Sequence, residues 1–410
     1  MIMKKPLKIL LGGVPFGRNN VGDEAILECI VKIVRSVCPE AQITVSTDNG
    51  PATAAKLGVN TVQLFGFEPP FSLSLMQQTL QTHDVFIWSG ATGLSDYPEI
   101  PVKMLRIAQQ AGKKTIVWGV GMNDELNPFF YTLLPGLKQK VLRAATHCLF
   151  HKLDFVRYAE NLKVSRTKKR IAQVLSLADM VVLRDPESRN EVLRCGDIAN
   201  VTVGADSALL LEPADLETAA LADEVRAVLA SRYKKIGFCI SAQRKITATD
   251  ELVDCFNQLV EDNSARIVFV PMNPLTDSVL MAGLRSQMKH PDRAVVIEGQ
   301  YEPSEILAIA SQLDVIASSR LHLLILASIV HVPIIGISRG SKVDNFLKPF
   351  GLTTVGGVES CDFERLIGEI NRLLTGRKDF ENSSRKVRRD LLQRLDIACC
   401  RLKKALSIEE

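Results

Sequence analysis

The stretch DVIASSRLHLLILASIVHVPIIGISRGSK, residues 314–342, indicates how this chain folds. Two short apolar strands each run into a polar turn and then into a helix. At such corners, backbone N–H groups and the positive end of a helix dipole lie at one edge of a sheet. The first corner adds Arg320 and His322, the second adds Arg339 and Lys342, and no acidic residue falls between Arg320 and Lys342. The pattern predicts a site for a small, highly charged anion.

The same alternation of strand and helix extends in both directions along the chain. In the second half, apolar runs predict strands at 236–241, 266–270, 294–297, 315–317 and 332–337. In the first half, similar runs predict strands at 8–11, 42–47, 84–89, 114–119, 180–184 and 200–205. Helical spacing of apolar residues separates them. Two consecutive series of this kind predict an α/β protein with two Rossmann-like, doubly wound domains facing across a cleft.

A chain of 410 residues is too long for one ordinary hydrophobic core. We expect an N-terminal domain over 1–212, a linker over 213–233, a C-terminal domain over 234–378 and an amphipathic helix over 379–410. The apolar stripe of that last helix consists of Val387, Leu391, Leu395, Ala398, Leu402 and Leu406. We interpret it as packing across a domain, with an interfacial membrane helix as the alternative.

Composition narrows the class of protein. A net charge of +4 without clustered basic and aromatic residues argues against a nucleic-acid partner. The nine cysteines are scattered, without Cys-x-x-Cys or zinc-like spacing, so we expect reduced core cysteines, no metal and a cytoplasmic location. The N-terminal apolar run is too short for a signal peptide, and no run approaches the length of a membrane span.

A glycine-rich corner follows the first strand and contains Gly17, Asn19, Asn20 and Gly22. Its glycines do not have the dinucleotide-binding spacing. The next two residues, Asp23 and Glu24, stand in the first turn of a helix, where carboxylates would repel a phosphate. Such a corner suits sugar hydroxyls or a general base, although simple helix capping by Asp23 is an equal alternative.

Two other residues have both a functional and a structural interpretation. Arg184 ends a predicted strand, where open α/β sheets bind ligands, or it forms a salt bridge with Asp185. His322 is either a site residue or a buried structural histidine. Two residues apart on a regular helix, Arg320 and His322 would point roughly 160° from each other. They reach one ligand only if the corner is not yet regular helix.

Taken together, four segments resemble the polysaccharide pyruvyl transferase family. They are GRNNVGDEAIL at 17–27, LRDPES at 183–188, SRLH at 319–322 and PIIGIS at 333–338 running on to Lys342-Val343. Their order and spacing match the family over nearly the whole chain. The resemblance implies two Rossmann-like domains in a GT-B-like arrangement. It also implies transfer of a pyruvyl group from phosphoenolpyruvate onto two sugar hydroxyls, with release of phosphate and formation of a cyclic ketal.

The chain departs from the family pattern in three places. A run of glycines is replaced by Ser-Gly-Ala-Thr-Gly at 89–93, and a Ser-Tyr-Asp-like corner by Ser-Arg-Gly-Ser at 338–341. Asn273 stands where a histidine is often found. The last two departures lie on the side of the cleft expected to bind the donor.

The resemblance also suggests roles. Phosphoenolpyruvate is expected to be bound by Arg320, Ser319 and Lys342, with Arg184 from the first domain. His322 suits the general acid, and Asp23 or Glu24 the group that orients or deprotonates the acceptor. The acceptor sugar, held by the residues of the glycine-rich corner named above, belongs to a cell-surface glycan or exopolysaccharide, or to its precursor.

Several alternatives remain open at this stage. One rival is a nucleotide-sugar glycosyltransferase of GT-B type, and another is a non-catalytic binding protein on the same scaffold. No cofactor is expected beyond phosphoenolpyruvate as donor substrate. A lipid-linked oligosaccharide acceptor would bring the protein to the inner membrane face as a peripheral protein. A homo-oligomer is compatible with the sequence, which does not define the oligomeric state.

Overall fold

The computed structural model describes residues 5–67, 73–148, 153–217, 219 and 221–407. Residues 218 and 220 of the predicted linker and 408–410 of the predicted terminal helix lie outside the described residues. Within the described part, no helix is both long and apolar enough to cross a membrane.

The strands follow one another along the chain in two series. The first series is β1 (Lys8–Gly12), β2 (Gln42–Thr47), β3 (Asn60–Gln63), β4 (Val85–Ser89), β5 (Lys114–Val120), β6 (Met180–Leu183) and β7 (Val201–Val203). The second series is β8 (Lys235–Cys239), β9 (Arg266–Phe269), β10 (Ala294–Val296), β11 (Val315–Ser318), β12 (Ile334–Gly336), β13 (Gly356–Gly357) and β14 (Ser360–Cys361).

Helices connect these strands. Those of the first half are α1 (Val21–Val37), α2 (Gly50–Leu57), α3 (Leu73–Gln81), α4 (Gly93–Asp96), α5 (Glu99–Gln110), α6 (Leu137–Cys148), α7 (Phe155–Ser176) and α8 (Pro186–Leu193). Those of the second half are α9 (Asp223–Leu229), α10 (Thr249–Asn263), α11 (Asp277–Ser286), α12 (Pro303–Ser311), α13 (Leu321–Ile329), α14 (Ser341–Leu347), α15 (Phe363–Thr375) and α16 (Arg377–Leu406). Single 3-10 turns are Pro128–Phe130, Ser207–Leu210, Pro291–Arg293 and Lys348–Phe350.

Both large sheets have the strand order of a Rossmann fold. Among the described residues, the first sheet has seven strands in the order β3-β2-β1-β4-β5-β6-β7. The second has five strands in the order β10-β9-β8-β11-β12, all paired in parallel. In each sheet the chain order reverses once, between β1 and β4 and between β8 and β11. The prediction of two doubly wound α/β sheets is confirmed.

The chain forms two compact units that interleave along the sequence. Unit 1 comprises residues 1–14, 41–45 and 64–203, and unit 2 comprises residues 15–40, 46–63 and 204–410. Helix α1 therefore belongs to unit 2, the unit of the second sheet. Within this unit the N–H of its first residue, Val21, donates to the Met272 carbonyl at 2.9 Å. The domain boundaries drawn from the sequence stay a prediction.

The central elements of unit 2 are buried because they are apolar throughout. Every residue of β11 is buried, and α13 exposes only part of His322. Helix α16 buries one side, and that side is the predicted stripe from Val387 to Leu406. This stripe packs within unit 2 and is not available as a membrane-facing surface.

Two local expectations needed adjustment. Strand β3 was not predicted, because it reads Asn-Thr-Val-Gln and is largely exposed. The strand expected at 332–337 is limited to Ile334–Gly336. Val332 instead donates its backbone N–H back to the Ala327 carbonyl at 3.0 Å, which closes the end of α13.

Candidate functional site

The site is built where β8 and β11 lie side by side. In an open α/β sheet, ligands bind at the carboxyl ends of the two strands where the chain order reverses. Here those ends continue into Ser241 and Gln243 after β8, and into Ser319, Arg320 and His322 after β11. The five residues belong to unit 2, as do all the contacts of the site described below except those of Arg184.

Two buried serines fix the turn between β11 and α13. The Ser318 hydroxyl accepts the Arg320 N–H at 2.9 Å and donates to the Arg320 carbonyl at 2.8 Å. The Ser319 hydroxyl accepts the Ser241 N–H at 3.0 Å, which joins the ends of β11 and β8. Ser319 is fully buried, and this hydrogen bond holds the corner in shape. Its expected contact with a ligand stays a prediction.

Arg320 is held by a carboxylate that the sequence analysis missed. Its Nε donates to Asp277 Oδ2 at 3.0 Å and its Nη2 to Asp277 Oδ1 at 2.7 Å. Asp277 is fully buried at the start of α11 and also accepts the N–H groups of Ala242 and Asn273. This bidentate pair uses Nε and Nη2, so Nη1 is the one guanidinium nitrogen of Arg320 that does not contact Asp277. Nη1 lies 3.5 Å from Gln243 Oε1.

The backbone conformation at Arg320 shows where regular helix begins after β11. Arg320 is the N-cap of α13, with an extended φ of −97° and ψ of 117°. The helix begins only at Leu321, so Arg320 and His322 do not follow regular helical spacing. Burial raises the pKa of Asp23, and the nearby charges of His322 and Arg320 oppose this rise. Arg320 thus meets the condition stated for both side chains to reach one ligand, and their joint contact with a ligand stays a prediction.

His322 lies against the first turn of α1. A methyl group at Gly22 would sit 2.1 Å from His322 Nδ1, so only glycine allows this approach. The other ring nitrogen, Nε2, is buried, has no hydrogen-bond partner among the described residues, and is 3.6 Å from Asp206 Oδ2. Asp206 is itself fixed, because its Oδ1 caps the turn Ser207–Leu210 through the Ala208 N–H. An imidazolium at His322 would therefore stand beside a carboxylate.

The two consecutive carboxyls of α1 have different surroundings. Asp23 faces the cations His322, Arg320 and Lys342, whose charges oppose the rise in its pKa caused by burial. Glu24 turns back along the chain and accepts the Gly17 N–H at 2.8 Å. Burial raises the pKa of Glu24 to about 7, and the charge of Asp23 acts in the same direction. Of the two candidates, Asp23 is the one near the cationic corner.

The predicted acceptor residues are engaged in local structure. Gly17 has a φ of +82°, and a methyl group there would meet the Thr47 hydroxyl at 2.3 Å. Asn19 has a left-handed φ of 56°. Asn20 caps α1 by accepting the Gly22 N–H at 3.2 Å. These contacts explain the residue types without a ligand, and the role in binding a sugar stays a prediction.

The second corner supplies another cation. Arg339 has a buried Nε without a hydrogen-bond partner among the described residues. Burial and the charge of Arg320 lower the pKa of Arg339 to about 10. Arg244 donates to the Arg339 carbonyl at 2.8 Å, and Lys342 stands in the first turn of α14. The structure therefore places Arg339 near Arg320, whereas the sequence analysis had named it as a cation of the second corner without giving it a role.

Arg184 belongs to unit 1 and lies at the end of β6, as predicted. Its Nε is 3.5 Å from Asp185 Oδ2, so the structural interpretation of a salt bridge has a physical basis. A methyl group at Gly121 would lie 2.4 Å from Arg184 Nη2, and the arginine is 7% exposed. Its expected contact with the donor stays a prediction.

Asp277 and Asp206 are thus the site residues that the sequence analysis missed, and Arg339 is a residue that it named without assigning a role. Asp206 was visible as an acidic residue directly after a strand, which is a weak signal. Asp277 stands in a helix's first turn, where acidic residues are common for reasons of charge alone. Only the fold shows that its carboxylate holds an arginine 43 positions away.

Solved structures confirm the class of fold. S. aureus MnaA with UDP aligns with a TM-score of 0.63, 11% identity, and coverage of 92% of this chain and 90% of that one. The Anabaena HepE complex with UDP-glucose aligns at 0.58, with 12% identity and coverage of 97% and 98%. The UDP-GlcNAc 2-epimerase from Methanocaldococcus jannaschii aligns at 0.56, with 14% identity and coverage of 90% and 93%. At these identities the likeness shows the fold, which is a two-domain, GT-B-like α/β protein.

The family follows from the sequence itself. The family model for polysaccharide pyruvyl transferase matches residues 20–341, and the chain belongs to this family. Membership makes it a transferase that acts on a glycan in polysaccharide biosynthesis. No curated protein sequence matches the chain significantly.

Proposed function

We propose that the protein transfers a pyruvyl group from phosphoenolpyruvate onto two hydroxyls of a sugar in a cell-surface glycan, an exopolysaccharide or its precursor. The observation that carries the proposal is the group of cations Arg320, His322 and Lys342 around Asp23, where β8 and β11 end. Phosphoenolpyruvate carries a carboxylate and a phosphate, so its site needs several cations and helix N-termini.

The donor would be held by three cations of unit 2. Arg320 offers the Nη1 edge that Asp277 leaves open, in an orientation fixed by the buried ion pair. Arg339 offers a buried guanidinium whose Nε lacks a hydrogen-bond partner among the described residues. Lys342 adds a third charge from the first turn of α14. Arginine suits both anionic groups of the donor because its planar fork matches carboxylate and phosphate oxygens.

His322 is the proposed general acid. It gives a proton to the methylene carbon of the donor, which becomes a methyl group and leaves the neighbouring carbon electrophilic. One sugar hydroxyl attacks that carbon, the carbon–oxygen bond to phosphate breaks, and the second hydroxyl closes the ketal. The two hydroxyl protons are released, one of them restoring His322. Asp206, 3.6 Å from Nε2, would stabilise the charged imidazole, and Asp23 would accept a hydroxyl proton.

Two rival functions use the same scaffold. A GT-B-type nucleotide-sugar glycosyltransferase would bind a diphosphate with these cations, and two of the fold relatives were solved with UDP or UDP-glucose. A non-catalytic protein would bind phosphoenolpyruvate without turnover. The approach of His322 to Asp206 favours an acid–base site over simple binding.

Binding and turnover with defined donors would separate these functions. We expect phosphoenolpyruvate, but not UDP-glucose, to raise the melting temperature, and R339Q to reduce that shift. With a glycan pool as acceptor, phosphate release should accompany a mass gain of pyruvate minus water. H322A should lower that rate by about 100- to 10,000-fold. Stabilisation by UDP-glucose alone, or full phosphate release by H322A, would contradict the proposal.

The remaining expectations are part of the same proposal. We retain a cytoplasmic location, with peripheral association at the inner membrane face if the acceptor is lipid-linked. The oligomeric state is left open. Arg184 is retained as a second contact for the donor, with R184Q expected to raise the KM for phosphoenolpyruvate.

A further inference from the structure

Helix α16 carries a large positive charge on the side that faces away from its buried stripe. Helix α16 carries ten Lys or Arg and four Asp or Glu, a net charge of +6. The whole chain carries +4, so all other residues together sum to −2. The helix that buries an apolar stripe on one side thus presents a basic surface on the other.

Part of that surface forms an open groove of about 540 Å³, which we call the α16 groove. It is lined along one face of the helix by Arg385, Arg388, Arg389, Leu392 and Asp396, with His331 opposite. Arg385, Arg389, Leu392 and Asp396 recur at intervals of three or four and share one face, and Arg388 lies beside them, three residues after Arg385. The volume falls within the range of about 300–1,000 Å³ typical of small-molecule sites.

The three arginines of the groove have no ion-pair partner among the described residues. Arg377 on the same helix, by contrast, pairs with Glu381 at 2.9 Å. Asp396 lines the groove without lying within ion-pair distance of an arginine. The Nε of Arg388 is buried and has no hydrogen-bond partner in the described part of the chain. A buried donor left in this state is unusual and indicates that something outside the chain supplies the acceptor.

His331 completes the groove from the end of α13. Its backbone has a left-handed φ of 59°, and its Nδ1 lies 3.1 Å from the Ser384 hydroxyl. Because that hydroxyl donates to the Ser328 carbonyl at 3.2 Å, it accepts from Nδ1, and Nε2 is left for another partner. Burial, Arg385 and Arg388 lower the pKa of His331, and Glu381 opposes them.

We propose that the α16 groove binds a phosphate-ester group. Three guanidinium groups match phosphate oxygens in charge and geometry. A bound dianion would also offset the positive charge of the arginines around His331. Because the groove is open, the phosphate can belong to a larger molecule, either an anionic lipid headgroup or a soluble phosphate ester. His331 and His322 stand at opposite ends of α13, a helix about 14 Å long, so the groove is separate from the proposed donor site.

The first arm of the test uses glycerol 3-phosphate and the full-length protein. We expect it to shift the imidazole NMR signal of His331, assigned with H331N. The triple variant R385Q/R388Q/R389Q should weaken this binding at least about tenfold. The variant K386Q/K403Q/K404Q removes the same charge from exposed positions of α16 outside the groove, and we expect its affinity to match the wild type.

The second arm distinguishes the source of the phosphate. Vesicles of phosphatidylcholine with and without phosphatidic acid are sedimented with the wild type and both triple variants. Loss of binding only in the groove variant supports a lipid headgroup, and binding of glycerol 3-phosphate alone supports a soluble ester. No binding in either arm, or equal loss in both triple variants, would overturn the proposal. No turnover is measured, so the result is independent of the proposed function.

Discussion

Helix α13 has cationic residues near both of its ends, and the two groups of cations differ in whether carboxylates stand beside them. At its start, Arg320 is bonded to Asp277 and His322 approaches Asp206. At its end, His331 faces arginines that have no carboxylate partner among the described residues. A cation paired within the fold is held in one orientation, whereas arginines without an ion-pair partner in an open groove remain accessible to solvent and to an anionic ligand. The four predictions below test this difference.

The largest effect is expected for D277A. Removing this carboxylate leaves the Arg320 guanidinium buried without its partner, which costs about 3–5 kcal/mol of unfolding free energy. Urea denaturation measures this loss. The matched change at the other end, D396N, removes a carboxylate that pairs with no arginine and should stay within about 0.5 kcal/mol of the wild type. Similar stabilities for D277A and D396N would contradict the difference in charge pairing between the start and the end of α13.

A smaller effect is expected for G22A. The added methyl group would meet His322 Nδ1 at 2.1 Å, so the helices must shift at a cost of about 1–3 kcal/mol, with His322 displaced. The control is G283A in α11, where nothing lies within 4 Å of the added carbon and the helix gains up to about 1 kcal/mol. Thermal denaturation and the His322 NMR signal would report both. Unchanged stability in G22A would mean that the approach of α1 to α13 is looser than described.

The third prediction concerns pH and the carboxyl next to Asp23. The pKa of Glu24 is raised from 4.5 to about 7, so the folded protein holds this proton where the unfolded chain has lost it. The contribution of Glu24 to stability is therefore full below pH 4.5 and is lost as pH rises to about 7. E24Q should gain about 1–2 kcal/mol over the wild type between pH 5 and pH 8, measured by urea denaturation.

The control for this variant is one turn further along α1. Burial acts to raise the pKa of Glu28, but the hydrogen bond from Lys32 and the charge of Lys56 lower it overall. Its contribution to stability is present at neutral pH and is lost on acidification. E28Q should therefore lose stability relative to the wild type as pH rises, the opposite of E24Q. The same sign in both variants would contradict the assigned surroundings.

The smallest effect on stability is expected at the end of α13. R385Q/R388Q/R389Q removes three cations that make no ion pair in the described part of the chain, so unfolding free energy should change by no more than about 0.5 kcal/mol. Any gain should shrink with added salt, because mutual repulsion of the arginines is screened. Thermal denaturation at low and high salt measures both. A large loss of stability would show that these arginines are structural.

Much of the fold could be predicted from the pattern of apolar residues. Runs such as 315–317 and 266–270 are buried strands because parallel strands covered on both faces are apolar throughout. The stripe of α16 was equally clear, since every third or fourth residue from Val387 to Leu406 is apolar and buried. Strand β3 was missed because its sequence, Asn-Thr-Val-Gln, has no such run.

For the candidate site, the sequence by itself determined the residues on the corner after β11, because residues that follow a strand must stand at the edge of its sheet. It also determined the family, through the order of four short motifs. Only the tertiary structure decided which side chains meet. Asp277 and Asp206 lie far along the chain from Arg320 and His322, and no local periodicity relates them. The contrast between Asp23 and Glu24 was likewise undecided, because neighbouring helical residues point in different directions and only packing shows what each one faces.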